Sequence, residues 1–322
     1  MADYSTLFVL GALATYIIAL VLFAVDISGL GRNAPKRQVR KAANIAVSLL
    51  WLGAGLHLVG LVLRAVQAGR VPWANMYEFA LTFTFAAIAI FLGIQRKKDI
   101  RYLGVFVTFM AVLGLILAVS VLFVPADGVQ PALNSYWLVI HVSVAAGTTG
   151  LFTVSAGASV LQLVQHRQDS RRAVTASPAL VTSGGAAASD ADAGATTTAT
   201  VRTARPPTSF VGRVMSQLPS EESLERFAYR LNAIGFVGWT FTVVAGAIWA
   251  EHAWGRPWGW DPKETWSLVV WLIYAAYLHV RATAGWSINR FAWFALIGYV
   301  ALLANFSIVN VFFSGNHSYS GL

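Results

Sequence analysis

Apolar residues in this chain come in long runs separated by short polar or basic connectors. A membrane-spanning helix needs about 20 mostly apolar residues. Eight stretches meet that need, at about 5–26, 44–66, 76–95, 102–124, 137–164, 232–250, 264–280 and 290–313. The pattern predicts an all-α polytopic membrane protein with eight transmembrane helices. The first stretch has no basic residue before it and no small-residue cleavage site behind it, so it reads as a retained helix. One long polar stretch interrupts the series. It divides the chain into helices 1–5 over 1–166, a linker over 167–230, and helices 6–8 over 231–322. The middle of the linker, 173–208, is rich in Ala, Ser, Thr and Gly and has no hydrophobic period, which is the composition of a disordered segment. Over 209–230, Phe210, Val214, Leu218, Leu224 and Phe227 suit a short amphipathic helix on the membrane surface.

Composition sharpens this picture. The 322 residues are 57% hydrophobic and 11% charged, against about 25% charged in a soluble domain. That excludes an ordinary water-soluble enzyme and a disordered protein. The net charge of +9 suggests nucleic acid at first sight, but its distribution argues otherwise. Of the 23 Lys and Arg residues, 19 fall in the connectors after spans 1, 3, 5 and 7. The other four, Arg64, Arg70, Arg256 and Lys263, lie near the opposite face. The positive-inside bias therefore places both termini outside the cytoplasm, and no nucleic-acid partner is expected. The chain has no cysteine, which excludes disulfides, thiolate-held metals and a thiol nucleophile.

The outward connectors hold the unusual chemistry. Six of the 12 tryptophans lie between Trp249 and Trp271, with glycines among them. An interfacial aromatic belt accounts for a few tryptophans per helix end, not for this density. Flat indoles spaced by glycine suit a platform for a flat apolar ligand, formed by Trp254, Trp258, Trp260 and Trp266. Asp261, Pro262 and Glu264 have the order of an N-cap, a first-turn proline and a capping-box glutamate, so they read as a helix start. Arg256 and Lys263 suit either a ligand carboxylate or lipid headgroups.

The histidines add a metal-binding expectation. His141 lies one turn inside the outer end of span 5, four residues after Trp137, and His317 lies just beyond the outer end of span 8. Two imidazoles beside an aromatic platform are what a bis-His haem site needs. His279 lies deep in span 7, roughly 20 Å from the outer surface, and His57 lies near the middle of span 2. Ionisable groups at such depth are functional candidates. His166 falls in the basic connector, and His252 faces either the outer site or water. An electron-transferring bis-His cytochrome b and a small-molecule transporter remain alternative readings. The first would need His57 and His279 as a matched pair. The second prefers broken helices and internal repeats, which the sequence lacks.

At these residues the sequence resembles a known family. Trp254-Gly-Arg-Pro-Trp-Gly-Trp-Asp-Pro-Lys-Glu-Thr-Trp266 is similar to the WWD signature of the haem-handling proteins of cytochrome c maturation (CcsA, CcmC and CcmF). Three further segments resemble the CcsA type, also called CcsB or ResC. They are Arg70-Val-Pro-Trp-Ala-Asn-Met-Tyr-Glu78, Leu133-Asn-Ser-Tyr-Trp-Leu-Val-Ile-His141 and Phe313-Ser-Gly-Asn-His317-Ser-Tyr-Ser-Gly321. The resemblance covers spans 2 to 8 without the linker. It implies that His141 and His317 hold haem b iron under the tryptophan loop. It also implies that His279 serves a second, intramembrane haem site completed by a ResB-type membrane partner. The implied task is to carry haem outward in the plasma membrane and present it to apocytochrome c. There the Cys-x-x-Cys-His thiols add to the haem vinyl groups in a cytochrome c synthase (haem lyase) reaction. No protein nucleophile is implied, because the chemistry lies in haem and substrate.

Overall fold

The computed structural model describes residues 4–31, 36–126, 133–176, 209–283 and 285–317. Among them there are helices and no strands. In chain order the helices are α1 (Tyr4–Gly31), α2 (Lys36–Ala68), α3 (Met76–Gln95), a 3-10 turn (Arg101–Leu103), α4 (Gly104–Ser120) and α5 (Tyr136–Ala176). Then follow α6 (Phe210–Met215), α7 (Glu221–Trp254), α8 (Pro262–Thr283), α9 (Ile288–Phe306) and α10 (Ile308–Phe312). Seven helical segments are long and apolar enough to cross a membrane. These are α1, α2 from Lys41, α3, the Arg101–Ser120 segment, α5 to Arg171, α7, and α9 with α10. The remaining expected span, 264–280, is present as the helix α8. It is not among the seven, since His279 and Arg281 interrupt its apolar run.

Two boundaries differ from expectation. The fifth helix continues past 164 to Ala176 instead of ending at the linker. Its extension includes Gln165, Arg167, Gln168, Arg171 and Arg172, residue types that favour helix. The expected amphipathic helix over 209–230 is instead two pieces. The short α6 ends before Pro219, and Ser220 then caps α7, its hydroxyl accepting from the Ser223 N–H. From there α7 runs on into the membrane, because 221–230 has the same helical register as the apolar run behind it. Residues 177–208 of the expected disordered stretch lie outside the described residues.

Packing depends on small residues at helix crossings. The Ser5 hydroxyl of α1 donates to the Gly60 carbonyl of α2 at 2.9 Å. Gly150 of α5 meets the backbone of α3, where a methyl group would lie 2.7 Å from the Ala87 nitrogen. Hydrophobic driving force between helices is weak in lipid, so such close approach supplies much of the attraction. One large buried cluster joins α1 to α4 with parts of α5 and α7. A second joins α7, α8 and α9 through Trp239, Tyr274 and Tyr299, with Phe152 of α5 stacked on Tyr274. A third, smaller cluster of Leu138, Val142 and Trp249 lies at one end of the bundle, beside the tryptophan loop. Large apolar side chains such as Leu7, Ile18 and Val21 cover the outside of α1, as suits a surface facing lipid.

Candidate functional site

The third cluster forms part of the wall of a cavity that opens to solvent. Its walls are mostly apolar, and α9 and α10 supply Leu302, Phe306 and Asn310 to them. The segment 73–79 contributes Trp73 and Phe79, α5 contributes His141, α7 contributes Trp249, the loop and α8 contribute Trp258 and Lys263, and the tail contributes His317. His141 and His317 thus reach one space from positions 176 residues apart in the chain.

Each imidazole is held through Nδ1. His141 Nδ1 lies 2.8 Å from the Thr242 carbonyl oxygen of α7. A carbonyl only accepts, so Nδ1 carries the proton and Nε2 is the nitrogen left for a metal. Gly246, one turn further along α7, makes this approach feasible, since a Cβ there would lie 2.8 Å from His141 Cε1. His317 Nδ1 lies 2.7 Å from Oδ2 of Asp261. The other oxygen of Asp261 accepts from the Asn316 N–H at 2.8 Å. Gly315 must be glycine here, because a Cβ would lie 1.9 Å from Asp261 Oδ1.

Trp249 ties the two together. It is buried, lies nearly parallel to His141 with ring centroids 6.2 Å apart, and meets His317 edge-on at 5.4 Å. Trp254 packs edge-on against both Trp249, at 4.8 Å, and His317, at 4.9 Å.

The helix start read from the sequence is present. Asp261 Oδ2 accepts from the Lys263 N–H, and Glu264 Oε2 accepts from the N–H groups of Asp261 and Gly259. Asp261 therefore caps α8 and anchors His317 with the same carboxylate. Burial alone raises its pKa. The hydrogen bond and charge of His317, with the Asn316 and Lys263 N–H groups, outweigh that and bring the carboxyl below its ordinary value.

The other expected residues divide. Trp258 lines the cavity, as does Lys263, whose ammonium donates to the Asn305 carbonyl at 2.7 Å. Trp254, Arg256 and Trp266, expected at the ligand, are not among the lining residues, and Trp254 instead backs Trp249 and His317. Arg256 lies across Gly259, 3.9 Å from Glu264. Trp260 is 70% exposed, turns its back on the cavity at a left-handed φ of 55°, and meets Trp258 edge-on. His279 lies on the exposed side of α8. His57 is fully buried, near Tyr16 and Phe85, and its Nε2 has no hydrogen-bond partner. His57 and His279 thus sit in different surroundings, and neither lines the cavity. His252 is exposed and donates to the Ile248 carbonyl of its own helix. His166 pairs with Glu221.

Several contributors were missed by sequence reasoning. Glu78 is one. It accepts from the buried Arg64, from Arg70 and from the Ala74 N–H, bracing the 73–79 wall. The signal was present as the Asn75-to-Glu78 capping spacing, with Asn75 accepting from the Glu78 N–H. Thr242 and Gly246 had no signal beyond helical patterning, whereas Trp249 was counted in the tryptophan-rich run but not assigned to the platform.

Comparison with known proteins gives the same direction. A family model described as cytochrome C assembly protein matches residues 73–317. The chain is 32% identical over 320 residues to the cytochrome c biogenesis protein CcsA of Gloeobacter violaceus, covering 87% of this chain and 94% of that protein. It is 34% identical over 319 residues to CcsA of Prochlorococcus marinus (strain MIT 9303), covering 96% and 92%. Among solved structures, the cytochrome c haem lyase CcmF has a similar fold, with a TM-score of 0.62 at 16% identity. That match covers 95% of this chain but 47% of the lyase, so the chain spans about half of it. The chain belongs to the cytochrome c assembly family, within its CcsA group.

Proposed function

We propose that this protein is the membrane subunit of a cytochrome c synthase. It carries haem to the extracytoplasmic face of the plasma membrane and presents it to apocytochrome c. The observation that carries this reading is that His141 and His317 line one largely apolar cavity and each is engaged through Nδ1. The donor set fits a haem iron, because Nδ1 anchoring orients an imidazole and leaves Nε2 for the metal. The tryptophan walls fit a porphyrin face, and the Lys263 Nζ on the lining is a hydrogen-bond donor for a haem carboxylate. Haem b is the form that still has vinyl groups to react.

In this reading α8 is the eighth span and both termini are extracytoplasmic, in accord with the basic connectors. The exposed position of His279 on α8 leaves it open to a ResB-type partner, which would supply the other ligand of a second haem site. The side chains of this chain bind, orient and shield. Each thioether forms when a substrate S–H adds across a vinyl C=C, sulfur to one carbon and the proton to the other. The rate gain comes from positioning.

The test is an absorption spectrum of the purified chain, with and without a ResB-type partner and with haem supplied, beside a His141→Ala, His317→Ala double variant. Haem bands that fall in the double variant support the outer site. Bands unchanged by it, or no haem in any preparation, overturn the reading.

A further inference from the structure

The two imidazoles of the cavity have unlike partners. His141 donates to a backbone carbonyl, which is neutral, whereas His317 donates to a carboxylate at 2.7 Å. We propose that Asp261 is a positioning residue that sets the tautomer and donor strength of His317. The two histidines would then hold haem iron unequally, with His317 the one on which haem retention depends more. This rests on the reading of the cavity as a haem site.

Three features of the structure support it. First, Asp261 is itself held. Its two oxygens accept from His317 and from the N–H groups of Asn316 and Lys263, so the carboxylate cannot swing away without losing all three. Second, the chain makes room for this contact. Gly315 sits where any side chain would collide with Asp261, two residues before His317. Third, His317 lies on the tail beyond α10, where no helix fixes its direction, whereas His141 is set within α5. The carboxylate supplies for His317 the orientation that helix packing supplies for His141. An anionic acceptor at Nδ1 also raises electron density at Nε2, which strengthens the bond to iron and favours its ferric state. Loss of such a partner commonly costs 10–100-fold in metal affinity, as an order of magnitude.

Asp261→Asn and Asp261→Ser separate this role from helix capping, because Asn and Ser cap helices about as well as Asp. Both are purified as the full-length chain, with thermal unfolding as the folding control. Three readouts follow. In the protein without haem, 15N spectra of labelled histidines, assigned with His317→Gln, should show that His317 loses its fixed Nδ1–H tautomer in Asp261→Ser, whose shorter side chain withdraws the acceptor, whereas the Asn carbonyl keeps an acceptor but removes the charge. Haemin titration should show affinity lowered by roughly 10–100-fold, and the midpoint potential of bound haem should move to a more positive value. His317→Gly should lose more haem than His141→Gly. Adding Asp261→Asn to His317→Gly should move affinity no further. An unchanged tautomer in folded Asp261→Ser, or affinity and potential equal to the parent in both variants, overturns the proposal and leaves Asp261 a helix cap. A further loss in the His317→Gly background shows that Asp261 acts elsewhere and also overturns it. A parent protein that binds no haem instead overturns the functional reading, while the tautomer result still reports on the Asp261–His317 contact.

Discussion

Arg64 in α2 and Glu78 in the first turn of α3 form a 3.0 Å ion pair in which the side chains are 1% and 0% exposed. Arg64 also donates to the carbonyls of Val124 and Pro125, so one guanidinium joins three chain segments at the end of the bundle that bears the cavity. Arg70 shares the same carboxylate. Removing one partner leaves the other charge buried without compensation, which typically costs about 3–5 kcal/mol. Glu78→Gln should therefore lower the unfolding temperature markedly and loosen the wall made by Trp73 and Phe79. A variant whose melting curve overlays the parent's would show that water replaces the carboxylate.

Gly246 should tolerate no side chain. An added Cβ would meet His141, which cannot retreat because Thr242 holds its Nδ1. Gly246→Ala should therefore lower haem binding more than stability. Gly55 offers the control, with nothing within 4 Å of an added Cβ. Gly55→Ala should stabilise its helix by up to about 1 kcal/mol and leave haem binding as it was. Parallel haem titrations and melting curves compare the two. Equal behaviour would mean that His141 has more freedom than its contacts imply.

Gly150 presses on backbone, not on a side chain that can turn away. The Ala87 nitrogen and the Ala86 carbonyl carbon would lie within 3 Å of a methyl group. Gly150→Ala should force α3 and α5 apart at a cost of about 1–3 kcal/mol. Because Thr149 beside it lines the cavity, haem affinity in the folded fraction should fall as well. Denaturant unfolding checks the first expectation and haem titration the second.

Trp249 and Trp260 stand 11 positions apart in one aromatic-rich run and should behave in opposite ways. Trp249 is 1% exposed and touches both histidines. Its replacement by Ala should cost about 3–5 kcal/mol and disorder both imidazoles. Trp260 is 70% exposed and holds a φ of 55°, which a side chain makes unfavourable. Trp260→Gly should leave stability equal or higher, while covalent haem attachment falls if its indole meets haem or apocytochrome. Thermal unfolding and a count of holocytochrome c in cells with each variant tell these apart.

Much of this was legible from the chain alone, for a local reason. Whether 20 residues cross a membrane, and whether Asp261 begins a helix, depends on neighbours within a few positions. The long apolar runs, the basic connectors and the Asp261–Glu264 cap could therefore be read directly. The nearness of His141, His317 and the tryptophan loop could be expected because all three fall at one end of their spans. What lay beyond reach was side-chain direction. Trp258 faces the cavity and Trp260 does not, although one residue separates them, because a left-handed backbone step turns the second outward.

The sequence by itself therefore determined the helical character, the apolar segments and the chemical types gathered at the outer end. Only the tertiary structure decided which partner each imidazole has. The contacts from Thr242 to His141 and from Asp261 to His317 cross 101 and 56 positions of chain. Such pairs depend on how far one helix slides and turns against another. That register is set where small residues let backbones and rings approach, as at Gly150, Gly246 and Gly315. No local pattern encodes it, because the same helix would form with any sliding of its neighbour.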